Sequence, residues 1–199
     1  MAPKFRRFLV AVMTVAASLG ATSAEAAPEY QQFYTGNLGL TCDLPGIGDY
    51  PVYASAYLEG PSSVAAGETV QFSALTAHVV IPREIVQVYQ GIVEGFRATD
   101  GLTIGVRGGT PSAIGMTVVS PYQLLPVPPD HLVLTAYQAP GTTIPAITAG
   151  AMGQLLTVSI DAFAVTLDVN LGPGSPVLQS PCVLNASQYT AFSPSLIIQ

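Results

Sequence analysis

Prolines and glycines cut this chain into short runs in which polar and apolar residues alternate, and no other feature narrows the possible folds as far. Seventeen prolines and nineteen glycines are spread over 199 residues. Between them Val, Ile, Leu, Thr and Tyr recur with the period of two that sends successive side chains to opposite faces of a strand. Val52 to Leu58 is the clearest case. Val52, Ala54, Ala56 and Leu58 share one face, while Tyr53, Ser55 and Tyr57 share the other. Turn residues bound the runs, as at Leu44-Pro45-Gly46-Ile47-Gly48-Asp49 and across Gly60 to Gly67. Further strands are predicted at 35–42, 69–75, 78–81, 102–106, 113–119 and 131–137. A long one, bent or bulged, is expected at 155–169, and the last two at 182–184 and 192–198. This pattern predicts an all-β fold, a single immunoglobulin-like β-sandwich. The proline-rich stretches 121–130 and 139–147 are expected to connect strands or lie on a sheet edge, because proline cannot serve a central ladder.

One segment departs from the alternation. After Pro82, apolar residues fall at Ile85, Val88, Tyr89, Ile92, Val93 and Phe96, a helical spacing. Pro82 suits a helix start, and Gly91 and Gly95 weaken the second half. A short helix is predicted near 83–90, crossing one end of the sandwich.

The first 26 residues read as a signal peptide. Lys4, Arg6 and Arg7 precede the apolar stretch Phe8 to Leu19, and Ala24-Glu25-Ala26 has the small-x-small pattern of a cleavage site. The apolar stretch is about 12 residues, against roughly 20 for a membrane-crossing helix. The expected organisation is therefore 1–26 as signal peptide, 27–35 as linker and 36–199 as the β-domain. Without the leader, three arginines face eleven carboxylates, a net charge of −8, and no lysine remains. Nucleic-acid binders and anionic-membrane binders draw affinity from clustered Lys and Arg, so neither partner is expected. Disorder is not expected either, because β-branched and aromatic residues are abundant. Cys42 and Cys182 are the only cysteines, and in an exported chain such a pair predicts a disulfide. Closing so long a loop stabilises by roughly 4 to 5 kcal/mol in the chain-entropy view.

Three stretches together are similar to a family of exported actinobacterial domains of unknown function. They are Cys42-Asp43-Leu44-Pro45-Gly46-Ile47-Gly48, then Pro61 to Val70 leading to Val79-Val80-Ile81-Pro82, and Cys182-Val183-Leu184 near the end. The resemblance spans about 36–199. It implies a β-sandwich with a terminal disulfide and carries over no catalytic residue.

Residues with chemistry are few. No Gly-x-Ser-x-Gly elbow occurs, and Gly105-Val106-Arg107-Gly108-Gly109 lacks the Lys-Ser/Thr ending of a phosphate loop. His78 and His131 are far apart in sequence and read as structural residues. Asp43 and Asp49 flank a turn and read as solvated turn residues. Asp161 and Asp168 are seven apart, which puts them on opposite faces of a regular strand unless a bulge intervenes. No catalytic residue, cofactor or metal ligand is expected. Tyr53 and Tyr57 are the candidate binding face, since outward tyrosines stack on sugars or protein partners. The expected function is a secreted, non-catalytic module of the bacterial envelope that binds an envelope polymer or a protein. Two alternatives stand beside it. A carrier of an apolar, lipid-like ligand needs an internal cavity, and a hydrolase needs two converging carboxylates among Asp43, Asp49, Asp130, Asp161 and Asp168.

Overall fold

The computed structural model describes residues 29–199, so the expected signal peptide lies outside the described residues. Strands β1 (Tyr30–Tyr34), β2 (Leu38–Leu44) and β3 (Gly48–Pro61) come first, then short pieces β4 (Ser63–Val64) and β5 (Thr69–Val70) and strand β6 (Thr76–Ile81). Helix α1 (Arg83–Tyr89) follows. After it come β7 (Gly95–Arg107), β8 (Gly109–Thr110), β9 (Ala113–Val119), β10 (Gln123–Leu124) and β11 (Leu132–Gln138). The rest is β12 (Ile147–Ala149), β13 (Leu155–Asn170), β14 (Leu178–Leu184) and β15 (Leu196–Ile198). The all-β class and the short helix agree with the sequence. The segment 27–35 differs from its expected role as a linker. Residues 30–34 form an edge strand on β3, and Phe33 is buried against Phe72.

Strand pairing closes on itself. In space the order is β7-β9-β11-β6-β3-β2-β14-β13, and β13 pairs with β7 again, every neighbour antiparallel. The two separate sheets of an immunoglobulin-like sandwich are thus joined into one ring. The physical reason is strand length. β3, β7 and β13 run 14, 13 and 16 residues, long enough to pair with different neighbours at their two ends. A bulge at Ile160/Ala162 supplies the bend in β13.

One face of every strand fills the interior. Leu38, Leu40 and Leu44 of β2, Ile104 of β7, Leu134 of β11 and Leu167 of β13 are fully buried there. At about 25 cal/mol per Å² of apolar surface, each such side chain contributes roughly 1.5 to 3 kcal/mol. Helix α1 begins after Pro82 and buries Ile85, Val86 and Tyr89. Val88, inside the helix, is exposed, and the helix stops at Tyr89 before reaching Ile92, which is exposed too, so neither joins the apolar face that the spacing suggested.

Cys42 and Cys182 sit directly opposite each other on β2 and β14 and form the expected disulfide, S–S 2.01 Å, inside the core. The β2–β14 pairing has just three residue pairs. The crosslink therefore staples the short seam where the first and last strands of the ring meet.

Candidate functional site

Strands β3, β6 and β11 lie side by side, and their register sets out a grid of side chains on the outer face. Tyr53, Val80 and Val133 form one row, Ser55, His78 and Thr135 the next, and Tyr57, Thr76 and Tyr137 the third. Edge strand β1 extends the last row with Tyr34, opposite Tyr57. Tyr34, Tyr53 and Tyr137 are 59%, 51% and 56% exposed. Tyr57 is half-buried because its ring packs on His78, with centroids 5.5 Å apart. Nδ1 of His78 is 3.1 Å from Thr135 Oγ1. The hydroxyl orients the imidazole and the tyrosine covers it, so the centre of the grid is held in place. None of these positions is Asp, Glu, Lys or Arg.

Alternation produces this face, but the size distribution is unusual. Ala54 and Ala56 of β3, Ala77 of β6 and Ala136 of β11 point inward, while the tyrosines between them point outward. Large apolar area that could have filled the core is presented to the outside. Aromatic side chains are thereby concentrated on this face, and Asp, Glu, Lys and Arg are absent from its three rows.

The remaining candidates are dispersed. His131 is exposed, and its backbone N–H donates to Asp130 Oδ1 at 2.8 Å, a bond that holds the Asp130 carboxyl below its ordinary range. Asp43 and Asp49 face each other across the β2–β3 hairpin, but both are exposed and neither lines a cavity described here. The bulge in β13 moves Asp161 onto the same outer face as Asp168. Six intervening residues still separate them by roughly 20 Å of strand, and Asp168 is held by Arg97, which donates from Nε at 3.0 Å and Nη2 at 2.5 Å. Among the described residues no cluster of three or more His, Cys, Asp or Glu has metal-binding geometry.

Two features were not anticipated. Asp100, on the inner face of β7, is fully buried, and neither carboxylate oxygen has a hydrogen-bond partner among the described residues. Burial pushes its pKa up to about 7. In sequence Asp100-Gly101 has turn chemistry, which conceals its place inside a strand. The second feature is a depression along β7 and β13 on the opposite side of the ring from the tyrosines, with Arg107 and Asp161 in its wall.

No helix among the described residues is long and apolar enough to cross a membrane. No curated protein and no solved structure matches the chain. A family described as "Family of unknown function (DUF6801)" matches residues 40–193, well over half of the chain and including both cysteines. The protein therefore belongs to this family of unknown function, whose matched region takes in the ring of strands, the disulfide and most of the tyrosine face.

Proposed function

We propose that the chain is an exported, non-catalytic binding module of an actinobacterial envelope, and that it engages a protein partner through the tyrosine face. The observation that carries this reading is the outer grid of Tyr34, Tyr53, Tyr57 and Tyr137 around His78, a patch without Asp, Glu, Lys or Arg. Rigid tyrosines supply contact area at low entropic cost, and partner interfaces concentrate them near their centres. Export is supported by the leader-like first 26 residues and by the buried disulfide, which suits an oxidising compartment. A non-catalytic role is supported by the dispersal of the histidines and of the carboxylates other than the exposed Asp43/Asp49 pair.

The test is site-specific photocrosslinking in the secreting cell, with the crosslinker at position 53 or 137 and, as a control, at position 166 on β13, across the ring from β6. A discrete protein adduct from 53 and 137, lost in the Tyr34→Ser/Tyr57→Ser variant and absent from 166, is the expected result. Equal adducts from all three positions, or none from 53 and 137, would sink the reading.

A further inference from the structure

The far side of the ring carries a second surface of different chemistry. On the outer face of β7 and β13, Arg107 pairs with Thr157, Gly105 with Ser159, Thr103 with Ala162 and Gly101 with Ala164. Over Gly101, Thr103, Gly115 and Thr117 lies a depression of about 540 Å³, and toward Arg107 lies another of about 640 Å³, the two meeting at Ala162. From Arg107 to Gly101 the trough is roughly 20 Å long at strand rise. Its floor has no large side chain, and its polar end holds both signs of charge.

That end lies just before the bulge. Alternation points Asp161 outward with Thr157 and Ser159, the bulge then sets Ala162 opposite Thr103, and the Asp161 carboxylate lies flat over Gly105, in space that any Cβ there would fill. Ser159 Oγ donates to Asp161 Oδ1 at 2.7 Å and holds the carboxylate in that pose. Arg107 lines the same depression and forms no ion pair among the described residues. Tyr189 stands 75% exposed and lines an adjoining depression of about 330 Å³ whose wall also includes Arg107, Ser159 and Asp161. A fixed acceptor, an uncommitted fork of donors and an aromatic face thus border this adjoining depression, which shares Arg107 and Asp161 with the trough.

We infer that this trough binds a neutral polysaccharide chain, with Arg107 donating to sugar oxygens, Asp161 accepting from adjacent hydroxyls and Tyr189 stacking on a ring. Paired hydroxyls both donate and accept, so one sugar satisfies the arginine fork and the carboxylate together. An anionic polymer is disfavoured by Asp161 itself and by the −8 charge left once the leader is removed. A protein partner is disfavoured because Gly101, Thr103, Gly115 and Ala164 offer no aromatic or aliphatic anchor. The long, open floor suits an extended chain, with its terminal or branching sugar at the polar end.

The experiment is binding of the purified secreted protein to an array of neutral hexose, pentose and N-acetylhexosamine polymers, with hyaluronan and an unstructured peptide as controls. Affinity for at least one neutral polymer is expected to fall tenfold or more in Arg107→Ala and Asp161→Ala. Gly115→Tyr separates occupancy from folding, because a Cβ at Gly115 meets nothing within 4 Å and the new ring projects into the trough. It should abolish binding with the thermal midpoint unchanged. Tyr53→Ser should leave glycan binding intact, so failure here is distinguishable from failure of the tyrosine face. No neutral polymer bound, binding indifferent to Gly115→Tyr, or preference for hyaluronan or the peptide would each overturn the inference.

Discussion

Asp100 is the residue whose behaviour differs most from its surroundings. It replaces an apolar side chain in the inward series Phe96, Ala98, Leu102 and Ile104, and its unpartnered carboxylate favours the neutral form. The folded-state pKa of about 7 lies above the ordinary 3.8. Where the folded state holds the proton more tightly, stability is fully present below the unfolded pKa and is lost as pH rises through the folded one. The loss falls between pH 4 and 7 and is on the order of 4 kcal/mol. Asp100→Asn does not titrate, so the variant should gain on the native protein steadily across that window in urea melts. A difference constant with pH would show that the carboxyl is already neutralised by another means.

Two elements invite separate measurements. The seam between β2 and β14 depends on the Cys42–Cys182 crosslink, which spans 140 residues of sequence and is shielded from solvent. Replacing both cysteines with serine should lower stability by roughly 4 to 5 kcal/mol in denaturant titrations. Because both sulfurs are inside the core, mild reductant should leave the native bond intact until the ring opens, measurable by thiol labelling over time. Helix α1 is fastened to the β2–β3 turn by Tyr89, whose hydroxyl donates to the Pro45 carbonyl at 2.8 Å, and burial pushes that phenol up to about 12. Tyr89→Phe should cost about 1 kcal/mol in a chemical melt. Tyr50 adds a bond to Glu84 at 3.1 Å, which is more exposed and worth less.

At the scale of the whole molecule, closure of the ring turns two surfaces of different chemistry outward. The tyrosine grid lies on β1, β3, β6 and β11, and the trough follows β7 and β13 with one edge on β9, the neighbour of β11. The protein and the glycan proposed as ligands would meet different strands of the ring. Closure also protects an otherwise adhesive fold, because a ring leaves far fewer free strand edges for pairing with other chains.

Much of this was legible from one dimension. The alternation at Val52 to Leu58 fixes which side chains share a face, and it correctly grouped Tyr53 with Tyr57. The helical spacing after Pro82 located α1, and the isolated cysteine pair implied its own bond. These are consequences of local geometry, where the period of the backbone alone decides which side chains travel together. What the sequence could not decide is which strands become neighbours. Tyr34 and Tyr137 join Tyr53 and Tyr57 through long-range register, residues 30–34 become a strand by pairing with β3, and Asp100-Gly101 runs through a strand despite its turn chemistry. The bulge that puts Asp168 on the same outer face as Asp161 is a feature of the β13–β7 pairing, which no spacing within 155–169 reveals. Periodicity is a property of each segment, whereas ring closure, burial and the composition of a surface depend on contacts between segments far apart in the chain.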